Sequence, residues 1–149
     1  MMSATDPFDL QRFVGAQSDA YERAVAELRG GRKRTHWMWF VFPQLKGLGR
    51  SATAFRYGIT GIDEARAYLA HPVLGPRLLE CAAVLEQLDA GLTASDIFGS
   101  PDDVKLRSSL TLFAHASEPG SVFERLLGRY FQGEADDRTV AMLGSQGRN

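Results

Sequence analysis

Leu10, Phe13, Val14, Gln17, Tyr21, Ala24, Val25 and Leu28 recur at spacings of three and four residues. That is the face of an α-helix, whereas a strand repeats every two. Asp6-Pro7 ahead of the run reads as a cap followed by proline at the first helical position. Gly30-Gly31 closes it. Ser18-Asp19 is a second cap-like pair inside the run, so the segment is one long helix or two. The same period returns in Val73, Leu74, Leu78, Leu79, Ala82, Leu85 and Leu88. Ser100-Pro101-Asp102-Asp103 is the strongest helix start in the chain: a cap, a proline, then two acids set against the helix dipole. That helix carries Val104, Leu106, Leu110, Leu112 and Phe113 up to Ser117.

Between these lie shorter pieces. Ser51 caps a helix through Tyr57. Thr60-x-x-Asp63 resembles a capping box that opens a helix from Ile62 to Ala70. His71-Pro72 breaks the chain. Thr93 opens a turn that ends at Phe98-Gly99. Pro119-Gly120 precedes a helix from Val122 to Phe131, and a last helix runs from Asp137 to Leu143. Trp37 to Phe42 is either part of a short helix capped by Thr35 and stopped by Pro43 or a buried strand, because an apolar run this short fits both. The expected fold is all-α: a compact multi-helical single domain of about eight helices over residues 6–143. A flexible C-terminal tail is expected over 144–149.

A chain of 149 residues, 44% hydrophobic and 23% charged, suits one globular domain with a real core. The net charge of −1 argues against generic binding to duplex nucleic acid. The longest apolar run, Trp37 to Phe42, is far short of the roughly 20 residues that span a membrane. MMSATDPFDLQ lacks the pattern of a signal peptide. A single cysteine, Cys81, excludes an internal disulfide and suits a reducing compartment. A cytoplasmic protein is expected.

The charge is unevenly spread. Arg29, Arg32, Lys33, Arg34, Lys46, Arg50 and Arg56 lie between Glu27 and Asp63 with no acid among them. The chain holds 17 basic and 18 acidic residues, so removing these seven leaves 10 against 18, and a local +7 faces −8. Such a field attracts an anion or an acidic face. In its midst stands Thr35-His36-Trp37-Met38-Trp39-Phe40-Val41-Phe42-Pro43-Gln44, with both tryptophans of the chain.

Arg34, His36, Trp37, Trp39, Gln44 and Lys105 are therefore the candidate ligand-binding residues. Arginine holds phosphate or carboxylate in a two-pronged fork. Histidine titrates near neutrality and serves as acid or base. A tryptophan beside arginines can stack on a ring or cover a cation. Each has a plain alternative: a solvated loop for the cations, a helix-start histidine bonded to backbone, and core for the aromatics. Gly47-Leu48-Gly49-Arg50-Ser51-Ala52 fits G-x-G-x-x-A, but with no preceding strand it is not a dinucleotide fingerprint. It is an anion-binding loop or a tight turn. Asp102 and Asp103 cap their helix, or one of them meets the basic segment across the fold. His36, His71, His115 and Cys81 have no metal-ligand spacing, so no metal is expected. No cofactor is expected either.

Asp6-Pro7-Phe8-Asp9-Leu10, Gly31-Arg32-Lys33-Arg34, His36 to Leu45, Gly47-Leu48-Gly49, Tyr57-Gly58-Ile59, His71 to Leu78, Phe98-Gly99 and Asp102-Asp103-x-Lys105-Leu106-x-Ser108-Ser109 together resemble a bacterial family, domain of unknown function 1810. The resemblance runs from Asp6 to about Leu143 and implies a compact, mainly helical domain with no established reaction. The name calpastatin, sometimes given to members, does not suit this chain. An inhibitor of that kind is long, polar and disordered. A fainter likeness in layout links the chain to the NADAR family of helical enzymes acting on ADP-ribose-type nucleotides. The resulting expectation is an uncharacterised domain that binds an anionic small molecule, such as a nucleotide or ADP-ribose derivative. The alternative is a non-catalytic interaction module docking an acidic protein surface. No residue order establishes an enzyme.

Overall fold

The computed structural model describes residues 6–146. Among these, nine helices and no strand form: α1 (Gln11–Arg29), α2 (Met38–Val41), α3 (Ala52–Arg56), α4 (Ile62–Ala70), α5 (Leu74–Gln87), α6 (Ala94–Phe98), α7 (Asp102–His115), α8 (Val122–Phe131) and α9 (Asp137–Gln146). The all-α expectation holds. From residue 147 on, the expected tail lies outside the described residues.

Helix α1 is unbroken through Ser18. Asp6 caps it from upstream: its carboxylate accepts the backbone N–H groups of Leu10 and Gln11 at 2.8 and 3.0 Å. Pro7 thus lies in the preceding turn and not in the first helical turn. The aromatic segment takes the helical alternative as the single turn α2. Thr35 does not cap it, because the Thr35 hydroxyl is bonded to Glu27. Ser51, Thr93 and Ser121 do cap α3, α6 and α8. Helix α4 has the expected bounds, but Thr60 pairs with Glu64 through both its N–H and its hydroxyl, and Asp63 takes no part.

Helix α7 is the centre of the fold. It packs on α8, α6, α4, α9 and α2, while α5 packs on α1, α4 and α8. Every residue from 108 to 113 is buried, the polar Ser108, Ser109 and Thr111 included. A helix buried on all sides is the mark of a central element. Its hydroxyls are accommodated by bonding back to the preceding turn: Ser108 donates to the Val104 carbonyl and Thr111 to that of Arg107.

Two loops meet in a short parallel bridge, Leu45 with Ile59. The Ile59 N–H donates to the Gln44 carbonyl at 2.9 Å, and the Lys46 N–H to the Ile59 carbonyl at 2.8 Å. A Cβ on Gly58 would stand 2.5 Å from Lys46 Cα, so only glycine allows this approach. The bridge fixes the backbone on both sides of Gln44.

Candidate functional site

The basic segment is organised from within by one acid. Glu27, near the end of α1, accepts the backbone N–H groups of Arg34 and Thr35, the Thr35 hydroxyl and the Trp37 indole N–H, at 2.7 to 3.0 Å. Burial alone would raise its pKa. The donors outweigh burial and hold the carboxyl at about 2. Trp37 is completely buried against Phe42 and Phe98. It belongs to the core, and its polar edge is already used.

A chain of charges leads from there to α7. Lys33 lies 5.1 Å from the Trp37 ring and pairs with Asp102 at 2.8 Å. The other Asp102 oxygen meets Lys105 at 3.2 Å, and the Lys105 ammonium stands 3.8 Å from the Trp39 ring centre. Burial raises the Asp102 pKa, but the two lysines outweigh it and leave the carboxyl below its ordinary range. So one α7 acid does meet the basic segment across the fold. Asp102 and the Trp39 face together hold the Lys105 ammonium in place.

Lys105 borders a cleft of about 240 Å³ whose walls include Gln44, Gly49, Val104, Ser108, Asp136 and Arg138. Gln44 is only 8% exposed. Among the described residues its side-chain amide has no hydrogen-bond partner. The amide nitrogen lies 3.5 Å from where a Cβ on Gly49 would stand, and the Trp39 ring lies 3.7 Å from the same point. Arg138, in the first turn of α9, is exposed and has no ion pair or hydrogen bond among the described residues. Asp136 is engaged: one of its oxygens accepts the N–H and hydroxyl of Thr139.

Of the six sequence candidates, Gln44 and Lys105 line this cleft, and Trp39 contacts Lys105 without lining it. Trp37 is in the core. Arg34 and His36 are exposed and line neither this cleft nor the larger one described next. They stand in an irregular stretch between α1 and α2, where successive side chains diverge. Arg138 and Asp136 escaped sequence reasoning, since nothing in the local pattern of α9 ties it to Gln44. The glycine loop leads into α3. That helix has five residues, and Ser51 takes its Ala54 N–H.

A larger cleft of about 430 Å³ lies elsewhere, walled by Phe8, Ile62, Asp63, Glu64, His115 and Leu143. Its buried charge is satisfied. Glu64 pairs with Arg12 at 2.8 Å and accepts from Thr60, while Arg12 also donates to the carbonyls of Phe8, Asp9, Arg56 and Gly58. His115 Nδ1 is bonded to the Thr111 carbonyl at 2.9 Å. No group of three or more potential metal ligands occurs among the described residues, and no described helix is long and apolar enough to cross a membrane. Cys81 is buried, and burial pushes its thiol up to about 12, far from a nucleophile's range.

These features define a helical domain with a small cleft, lined by a few polar and charged side chains, beside a basic, aromatic segment. Residues 7–143 match the model of the protein family of unknown function DUF1810, and the chain belongs to that family. It is similar to the crystal structure of the conserved hypothetical protein Rv1873 from Mycobacterium tuberculosis, at 57% identity and a TM-score of 0.91, over 93% of this chain and 99% of that one. No curated protein matches the chain.

Proposed function

We propose that the protein binds an anionic small molecule at the cleft between Gln44, Lys105 and Arg138. The observation that carries this reading is a fixed cation facing a free one. Lys105 is held by Asp102 and Trp39, and Arg138 on the opposite helix has no acidic partner. A preorganised ammonium and a guanidinium fork suit a carboxylate or phosphate. At about 240 Å³ the cleft is smaller than the roughly 300 Å³ at which drug-sized sites begin. It therefore takes a small metabolite or the anionic end of a nucleotide, not a whole ADP-ribose. No reaction is assigned to it.

A thermal-shift screen against phosphorylated metabolites, short carboxylates, nucleotides and ADP-ribose tests the reading, because a ligand of the native state raises apparent stability. Arg138→Ala should weaken a hit about tenfold at low salt and leave the melting temperature of the free protein unchanged, since an exposed cation adds little to stability. A hit that ignores Arg138→Ala and Lys105→Ala alike places the site elsewhere.

A second reading rests on a different observation. Phe55 is 61% exposed with the Lys46 ammonium 4.8 Å from its ring. Neighbouring Arg50 and Arg56 have no ion pair among the described residues. This surface suits an acidic protein partner. If it is used, Phe55→Ser should abolish that association and leave every small-molecule hit intact.

A further inference from the structure

Gln44 is only 8% exposed as a residue, but its amide atoms reach the cleft, and neither its N–H donors nor its carbonyl acceptor has a partner within the fold. Buried polar side chains are nearly always paired, and leaving one unpaired costs stability. Gln17, equally buried, follows that rule: its amide donates to the Phe40 carbonyl and the Tyr68 hydroxyl and accepts from Arg77. Gln44 is set differently. Its backbone is pinned by the bridge to Ile59, and its amide nitrogen lies beside Gly49, where Ala54 leaves no room for a Cβ. The backbone is fixed and the amide unused, in a cleft that Lys105 and Arg138 also line.

We infer that the ligand carries, besides its anion, a planar amide-type edge that pairs with the Gln44 side chain. This rests on the reading that the cleft takes an anion. A glutamine amide offers a donor and an acceptor side by side in one plane. An amide, lactam or imide edge answers both at once: its carbonyl accepts from Nε2, and its N–H donates to Oε1. The anion then lies toward Lys105 and Arg138. The ligand class is a small carboxylate or phosphate bearing an amide or lactam group, which includes amide-bearing acids and pyrimidine-type rings.

The test uses four monoanions that share a carboxylate and differ at the far end: succinamate, 4-oxopentanoate, 4-hydroxybutanoate and pentanoate. Binding is followed by titration with ¹⁵N-labelled protein, reading the Gln44 side-chain amide resonance. Succinamate should bind about tenfold tighter than pentanoate, the worth of two ordinary hydrogen bonds, with 4-oxopentanoate between them. Only the ligands that reach the amide should move its resonance. Gln44→Met should bring succinamate down to pentanoate's affinity, leave pentanoate unchanged, and melt at or above the wild-type temperature. Gln44→Glu, which lacks the donor and adds a negative charge, should lose succinamate as well. Equal affinities for succinamate and pentanoate would overturn the inference and leave the anion site standing. So would 4-hydroxybutanoate matching succinamate, which would make the group a hydroxyl. A Gln44→Met protein that melts well below wild type would show the amide to be structural and would also overturn it. Binding by none of the four, nor by inorganic phosphate, would remove the anion site and the inference together.

Discussion

Gln17 and Gln44 are the same residue type at nearly the same burial, 1% and 8% exposed, in two regions with opposite polar chemistry. Around Gln17 every buried polar group is answered, and Tyr68 completes the set by donating its hydroxyl to the same Phe40 carbonyl. The neighbouring Arg12–Glu64 pair is likewise saturated. Around Gln44, Lys105 and Asp136 have partners, but the Gln44 amide and Arg138 have none among the described residues. Burial alone therefore does not separate a structural polar side chain from one proposed for recognition. The state of its hydrogen bonds does, because an interior evolved only for stability pairs its polar groups or removes them.

The sharpest way to break this contrast is to cut the saturated side. Glu64 is 1% exposed, and Glu64→Ala would leave the Arg12 guanidinium buried beside its missing anion. The expected cost is about 3–5 kcal/mol by urea unfolding, the range for breaking a buried pair from one side. A loss below about 1 kcal/mol would mean that the four carbonyls around Arg12 suffice without the carboxylate. Gln17→Met comes next. It should cost about 1–3 kcal/mol, because the Phe40 carbonyl and the Arg77 guanidinium lose a partner inside the fold. The same substitution at Gln44 should cost nothing. If the two glutamines respond alike, the contrast fails.

Glu27 gives the contrast a pH dependence. Its pKa is held at about 2 against an ordinary 4.5. A depressed carboxyl stabilises the fold above its unfolded pKa, and that contribution is lost as pH falls through the folded value. Wild type and Glu27→Ala should therefore differ most above about pH 4.5, by about 1–3 kcal/mol. The gap should close as pH falls toward 2. A gap constant from pH 7 to 3 would show that the lost stability comes from packing, not from the charge and its four donors.

Much of the fold was legible because helix starts are written locally. Ser51 and Thr93 each bond the N–H three residues on, as their positions in the sequence indicate. At Thr35 and Thr60 the reading failed because another acid had claimed the side chain. Thr35 caps nothing because Glu27 holds its hydroxyl, and the capping box read at Thr60 was displaced by Glu64. The proposed site was legible only in part. Trp39 and Gln44 stand out beside the basic string, and Lys105 joins them through Asp102. Arg138 comes from a helix whose sequence contains no sign of where it packs, and Arg34 and His36 had only nearness in sequence to recommend them.

The smallest effect separates two kinds of unpaired group. Ser109, on α7, is fully buried, and its hydroxyl is the one buried side-chain atom without a partner among the described residues. Its neighbours Ser108 and Thr111 bond back to the preceding turn, whereas Ser109 does not. Unlike Gln44, it lines neither of the two clefts. An unpaired hydroxyl sealed in a helix has no ligand to wait for, so it only costs stability. Ser109→Ala removes the unmet donor and adds the better helix former. The small void left by one oxygen offsets part of that gain. The variant should be more stable by about 1 kcal/mol, read as a rise of about 3 °C in melting temperature, with no change in the affinity for any ligand of the Gln44 cleft. A destabilised Ser109→Ala protein would show that the hydroxyl has a partner in solution. Altered ligand affinity would show that α7 couples Ser109 to the cleft through Lys105 and Ser108, and the line drawn between the two unpaired groups would then be in the wrong place.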